Sequence, residues 1–570
     1  MRPIPFPPLQ SSVRLALECL SLACALAGCS ASAAPLTSER IENAGNEPHN
    51  WLSYYGNSRG WAYSALDQIN AGNAKNLVVK WAFQLGSQDL QVTPVVVDGV
   101  MYVSNKDQQV FALDARTCEM LWRYNYAFAD ADKMALRTQW RGTQINRGVT
   151  VVDDKVLLAT WDAFLVALDA KSGKEVWKRQ LGNYETGNAF SAPPLIAKDK
   201  AILGVMTGEM PNRGYIVAVD VKTGAERWRF WTVPAPDEPG NETWAGDSWK
   251  HGCGAAWMTG TFDAHLNLVY FGTGNPCAYW DGEPRAGDNL YTSSTVALDA
   301  DSGMLKWHFQ AVPHDVWDLD NHAELVLVDI AIEGTPAKVG LQAGKNGFFY
   351  VLDRTTGEFI LAKPFVDRIN WTSGLDERGR PVPHVVPTAE GAVLCPGANG
   401  ARGPGHTAYS PRTGYVYIPV RDMCTFTKVV HKDPEVGKLF LGGEGSPSPE
   451  GSQGYIAAVD AASGETKWRY RSRYPMSASV LVTGSDLLFT GDIEGYALAL
   501  DARSGRLLWR FNTGSGVKGS PISYAVDGRQ YVAIPSGQGG LSAFFWPRTY
   551  PELANATRGS TLFVFGLPEE

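Results

Sequence analysis

The chain has 570 residues, enough for a large core, with 59 Gly, 34 Pro, 19 Trp and only 19% charged residues. Abundant glycine and aromatics with few charges favour short strands and tight turns over long helices. A formal net charge of −8 leaves no basic surplus to meet phosphates, which argues against nucleic acid as a partner.

At the N-terminus, Arg2 and Arg14 precede the apolar run "LALECLSLACALAG", interrupted by Glu18 and followed by Cys29. The run is too short to span a bilayer but suits a secretory signal. "LAGC" (residues 26–29) resembles a bacterial lipobox, whose Cys becomes the lipid-bearing first residue; the alternative is ordinary cleavage after Ala31-Ser32-Ala33. Both routes export the chain. The expectation is a periplasmic protein that touches the membrane through a lipid anchor only, with residues 1–29 as signal and 30–44 as a flexible tether. Beyond the signal cysteines Cys19, Cys24 and Cys29, five remain: Cys118, Cys253, Cys277, Cys395 and Cys424. In an oxidising compartment Cys395–Cys424 is the first candidate disulfide and Cys253–Cys277 the second. No pair has zinc-finger spacing, and the absence of Cys-x-x-Cys-His excludes a covalently attached c-type haem.

From there one phrase recurs: "FALDARTCEMLW" ending at Trp122, "VALDAKSGKEVW" at Trp177, "VAVDVKTGAERW" at Trp228 and "VALDADSGMLKW" at Trp307. It continues as "YVLDRTTGEFIL" at Leu361, "AAVDAASGETKW" at Trp468 and "LALDARSGRLLW" at Trp509, with degenerate copies "GTFDAHLNLVYFG" and "AYSPRTGYVYIP" between. Each reads as a strand, an Asp-x-x-[Ser/Thr]-Gly turn and a second strand ending in Trp. Successive copies lie roughly 35 to 57 residues apart, the span of a four-stranded blade. A blade cannot bury its own faces, so the pattern predicts an all-β fold: one eight-bladed β-propeller of four-stranded antiparallel blades over residues 45–546. A C-terminal tail, 547–570, follows. The recurring tryptophans are expected to dock blade on blade.

The axial mouth of a propeller is built from loops of several blades, so site residues should be scattered along the chain. "GVMTGEMPNRGY" offers Glu209, "YFGTGNPCAYW" offers Asn275, and "HDVWDLDNH" (residues 314–322) offers Asp318 and Asp320. These are oxygen donors, suited to a hard cation. Singly, Glu209 reads as a loop carboxylate and Asn275 as a turn-former. Asp318 and Asp320, two apart in an extended segment, would point the same way. His314 and His322 read as loop hydrogen-bonders rather than ligands.

The tryptophan-ended phrase, the opening "YYGNSRGWAYSALDQINAGNAKNLVVKWAFQLGS" and the closing "ALALDARSGRLLWRFNTGSGVKGSPISYAVDGRQYVAIPSGQGG" resemble the quinoprotein dehydrogenases, which use pyrroloquinoline quinone (PQQ). The resemblance implies that Glu209 and Asn275 hold Ca²⁺ or a lanthanide ion and that Asp318 both touches the metal and is the catalytic base. It implies further that Arg147 pairs with a quinone carboxylate, Trp257 stacks on the quinone, and Lys345 lies beside the reactive carbonyls, with Thr160 and Gln91 also cofactor-binding. Asp320 matches the second metal-binding aspartate of lanthanide-dependent members, although some Ca²⁺- or Mg²⁺-using sugar oxidisers also carry Trp-Asp-x-Asp. There are departures. The adjacent cysteines upstream of Arg147 are replaced by Arg141 and Gly142, the usual glutamate by Gln91, a common Asn by Gly403, and a frequent Trp by Ser477 at the nearest position. A Cys253–Cys277 disulfide near the quinone could stand in for the missing pair. The implied activity is PQQ-dependent oxidation of a small alcohol to an aldehyde or ketone. Electrons would pass to a separate acceptor such as a soluble cytochrome c or a quinone. The alternatives are a sugar or polyol dehydrogenase and a non-catalytic outer-membrane lipoprotein propeller, although such scaffolds are shorter and have no use for residues at cofactor positions.

Overall fold

The computed structural model describes residues 35–128, 145–207, 209–539 and 546–569; the signal and lipobox, the tether's first five residues, and the departures at Arg141 and Gly142 lie outside them. Seven four-stranded units follow in chain order, spanning residues 95–125, 150–180, 195–231, 261–310, 326–364, 408–472 and 481–512, and an eighth combines residues 522–536 with both ends of the ordered chain. Within each unit the strands pair antiparallel with their neighbours. First strands of neighbouring blades approach one another, which places them innermost around the axis. Eight blades form, as the repeat predicts.

The repeat phrase builds the third and fourth strands, and its turn is held by its own side chains. Asp169 Oδ1 accepts from the Ser172 amide at 2.8 Å and hydroxyl at 2.6 Å, and Gly173 follows at φ +68°. In the first copy Cys118 occupies that left-handed position at φ +68°, a conformation that costs a residue with a Cβ.

The tryptophans dock blade on blade. Trp122 Nε1 donates to the Ala170 carbonyl at 2.9 Å, Trp228 to Ala300 at 3.1 Å, Trp307 to Arg354 at 3.2 Å and Trp468 to Ala502 at 3.1 Å. Each acceptor directly follows the turn aspartate of the next blade. The turn glycine lies under the indole: a Cβ on Gly303 would stand 2.5 Å from Trp228 Cε3. Leu361 replaces Trp in the fifth blade, and there the aliphatic carbons of Leu361 and Lys363 face Gly464.

The expected tail is partly wrong. Thr561–Gly566 is the third strand of the eighth blade, paired on one side with Arg529–Ser536 and on the other with Val78–Gln84. Trp81 on that N-terminal strand donates to Ala115 of the first blade at 3.3 Å, so it is the docking tryptophan of the eighth blade. The propeller closes by pairing a strand from the early part of the described chain with one from its late part in one sheet.

Alternation of strand direction puts the entry to each first strand and the link between second and third strands at one end, with the Asp turns at the other. The polar segments with site candidates lie at that first end.

Candidate functional site

A cavity of about 250 Å³ opens at this end, and its wall includes Gln91, Arg147, Glu209, Trp257, Asn275, Asp318, Asp320 and Lys345. These eight come from segments preceding first strands (Gln91, Arg147, Trp257, Asp318, Asp320) or joining second to third strands (Glu209, Asn275, Lys345). Thr160 is not among them. Its hydroxyl donates to Asp162 Oδ1 at 2.6 Å and accepts the Phe164 amide at 3.0 Å, so it is spent on the turn after the strand Lys155–Ala159.

"HDVWDLDNH" is not extended. Asp315 organises it, accepting from the amides of Trp317 and Leu319 at 2.9 Å each and from the Ser293 hydroxyl at 2.8 Å. Asp318 is left-handed at φ +62°. The two aspartates reach one cavity because of this tied turn, not because of strand alternation. Lys345 Nζ donates to Asp318 Oδ1 at 3.1 Å. Burial drives the Asp318 carboxyl well above its ordinary range against the pull of Lys345, with Asp320 and Asp315 adding to the rise. Asp320 accepts from Trp257 Nε1 and from the Asn275 amide, each at 2.9 Å. Burial pushes Asp320 up, but Lys345 and these two donors outweigh it and hold the carboxyl low. The same two carboxylates overcome the burial of Lys345 and keep it ammonium.

Glu209 sits at φ +58°. Although it is water-accessible where it lines the cavity, the surrounding protein raises its carboxyl, with the Tyr279 hydroxyl opposing by hydrogen bond. Asn275 spends its amide nitrogen on the Pro276 carbonyl at 3.0 Å, which leaves Oδ1 without a partner among the described residues. One carboxylate held low, two raised carboxyls and an amide oxygen form a set of oxygen donors that fits a hard cation. The neighbouring histidines stay out of it. His314 Nδ1 lies 2.7 Å from the Gly287 carbonyl. His322 stacks on Trp257 at 4.3 Å and is held neutral by burial, its pKa pulled down to about 3.

Cations stand elsewhere in the wall. Arg147 is buried, with Nη1 donating to Ser191 Oγ at 2.6 Å, its Cζ 4.9 Å from the Trp257 ring, and Nε without a partner. Gln91 Oε1 accepts weakly from Nη2 at 3.4 Å. No carboxylate among the described residues pairs with it. Arg421, Lys518 and Trp546 also line the cavity. Lys518 is paired with Asp89, and burial lowers its pKa while Arg421 and Arg147 repel it. An uncompensated buried guanidinium beside a half-buried indole on the cavity wall fits a flat polyanion such as a tricarboxylate quinone.

Sequence reasoning missed Arg421, Lys518 and Trp546. Lys518 does lie in the quoted closing stretch "TGSGVKGSP", where a lone Lys between glycines was its signal. Cys253 and Cys277 are bridged, as are Cys395 and Cys424. The first bridge ties the loop of Trp257 to that of Asn275, where the Gly254 amide also donates to the Asn275 carbonyl at 3.2 Å.

The family described as "Glucose/ethanol/alcohol dehydrogenase, beta-propeller domain" matches residues 51–363, and that of "Outer membrane protein assembly factor BamB" matches residues 452–544. The chain is 37% identical over 546 residues to the quinoprotein alcohol dehydrogenase PedH of Pseudomonas putida, covering 90% of each chain. It is 37% identical to the quinohemoprotein alcohol dehydrogenase of Comamonas testosteroni, over 84% of this chain and 71% of that one. A solved europium-containing methanol dehydrogenase superposes with a TM-score of 0.86 at 30% identity, covering 93% of this chain and all of that one. By fold, repeat and relatives alike, the chain belongs to the PQQ-dependent quinoprotein alcohol dehydrogenase family.

Proposed function

We propose that the chain oxidises a small alcohol to the aldehyde or ketone, with Asp318 as the base, PQQ as the oxidant and a hard cation held by Glu209, Asn275, Asp318 and Asp320. The observation that carries this reading is the division of one cavity into an oxygen-donor pole and an uncompensated cationic pole, with the Lys345–Asp318 pair where they meet. When bound, PQQ supplies the hydride acceptor and the cation the Lewis acid that polarises it. The protein's part is to orient and to move a proton. Among the described residues Asp318 Oδ2 accepts no hydrogen bond while Lys345 holds Oδ1, so Oδ2 takes the hydroxyl proton of an alcohol. Trp257, fixed by Asp320 at its indole nitrogen and by His322 on its ring, supplies a rigid stacking surface. Arg147 pairs with a carboxylate of the cofactor, and Lys345 lies beside its carbonyls.

Asp320 gives the donor set a third carboxylate, which favours a trivalent ion by charge. Calorimetric titration of PQQ into the metal-free full chain, with Ca²⁺ and separately La³⁺, tests the reading. We expect metal-dependent binding, stronger with La³⁺; no binding with either ion would discard it. The non-catalytic scaffold reading leaves Arg147 and Arg421 buried without counter-charge, and so is disfavoured.

We also propose export and lipid tethering, from "LAGC", with electrons leaving to a separate acceptor such as a cytochrome c or a quinone. Mass spectrometry of the mature N-terminus checks the first: a diacylated Cys29 supports tethering, and a free N-terminus beyond Ala33 supports plain cleavage.

A further inference from the structure

Two departures from the family pattern, Gly403 and Ser477, meet at one residue. Arg421 lies within the strand Tyr415–Val429, is 8% exposed and lines the cavity. Its Nε donates to the Met476 carbonyl at 3.0 Å and its Nη2 to Ser477 Oγ at 3.1 Å. Nη1 has no partner, and no carboxylate pairs with this guanidinium, among the described residues. Trp546 covers it, with the indole centroid 5.6 Å from Cζ. A Cβ on Gly403 would stand 2.2 Å from Arg421 Cζ and 2.4 and 2.5 Å from its two Nη atoms. Any side chain at 403 therefore evicts the guanidinium, and the small hydroxyl at 477 gives it an anchor. The three positions behave as one unit that seats a buried cation in the cavity wall.

Burial lowers the Arg421 pKa to about 10, so the group remains charged at neutral pH. Arg147 and Lys518 line the same cavity, and Asp89 neutralises only Lys518. An arginine desolvated without a counter-ion is unfavourable unless an anion completes it, and the planar guanidinium fork matches a carboxylate.

We propose that Arg421 is a carboxylate-binding residue of this cavity, seated by Gly403 and Ser477 in the space that the usual Asn and Trp would occupy. The proposal rests on the quinoprotein reading above. The carboxylate is either one of the quinone's own or one borne by the alcohol substrate.

The test uses the metal-loaded full chain. PQQ is titrated calorimetrically into wild type, Arg421→Met, Arg421→Lys and Gly403→Ala, and each PQQ-free protein is melted. If the quinone supplies the carboxylate, Arg421→Met weakens PQQ binding about 10- to 100-fold, the worth of a charged hydrogen-bonded pair. Arg421→Lys loses less, and Gly403→Ala loses a comparable amount with Arg421 still present. The PQQ-free Arg421→Met protein melts at the wild-type temperature or above, since an unpaired buried charge has been removed. If the substrate supplies it, PQQ affinity is unchanged, while KM for an ω-hydroxycarboxylate rises at least tenfold against the neutral alcohol of equal length. Unchanged PQQ affinity together with unchanged KM overturns the proposal. So does a lowered melting temperature without either binding effect, which marks a structural residue. Wild type that binds no PQQ sinks the quinoprotein reading and the proposal with it.

Discussion

At Asp318, burial and a cationic partner oppose each other, and burial wins. Such a carboxylate is a stronger base than an exposed one, as proton abstraction from an alcohol requires. Asp318→Asn should reduce single-turnover reduction of bound quinone by about 10²- to 10⁴-fold, while calorimetry shows PQQ still bound. Asp320 differs in being tied to both Trp257 and the Asn275 backbone. Asp320→Ala should weaken La³⁺ binding by at least about tenfold and Ca²⁺ binding less, because charge favours the trivalent ion more. In the link between the second and third strands of the seventh blade, burial raises Asp492 to about 6. Between its unfolded and folded pKa values the folded chain binds the extra proton, so stability falls as pH rises through that window, from about 4 to 6. Asp492→Asn should therefore melt higher than wild type at pH 7.5 and equally at pH 4. At most about 3 kcal/mol is involved at 1.36 kcal/mol per pKa unit. That Glu209, Asn275, Asp318 and Asp320 share one cavity was legible because glycine-rich turns and paired acids mark them locally. Arg421 was not: a single Arg inside the strand-like "VYIPVRDMC" carries no local signal, and its meaning depends on Gly403 and Ser477, distant in sequence. Thr160 stands apart from the cavity wall, since a hydroxyl after a strand satisfies its own turn as readily as a ligand.

At the scale of the element, the Asp-x-x-[Ser/Thr]-Gly turn with its distal Trp is one device split between two blades. Gly303→Ala places a methyl 2.5 Å from the Trp228 ring at φ +72°, which combines overpacking with backbone strain and should cost about 2–4 kcal/mol in denaturant unfolding. The converse change, Cys118→Gly, relieves a left-handed Cys and should be neutral or stabilise by up to about 1 kcal/mol. The Cys253–Cys277 bridge closes a loop with a sequence separation of 24, for which chain entropy gives about 3 kcal/mol. Because it joins the loops of Trp257 and Asn275, the double Cys→Ser variant should lose metal affinity as well as stability. The blades were readable because most copies repeat the same turn chemistry. The final strand escaped notice because "STLFVFG" lacks the Asp turn and its neighbour Val78–Gln84 lies at the other end of the ordered chain; sequence periodicity does not reveal pairings of that range.

For the whole molecule, closing the ring in one sheet makes the eighth blade the joint on which the others depend. Deleting residues 560–570 removes Thr561–Gly566 and leaves both Val78–Gln84 and Arg529–Ser536 without their shared neighbour. The truncated chain should unfold at markedly lower denaturant with a broadened transition, as an opened ring does, rather than shift uniformly. Until that strand is made, Val78–Gln84 has an unpaired hydrogen-bonding edge and carries Val79, Trp81 and Phe83, all packed against the core in the finished fold. Such an edge invites pairing between chains. Its partner is synthesised about 480 residues later, roughly 25 to 100 s at ordinary elongation rates. Throughout that interval the nascent chain carries an apolar strand that no part of itself can cover, so its yield in a cell depends on whatever shields Val78–Gln84 until the last blade arrives.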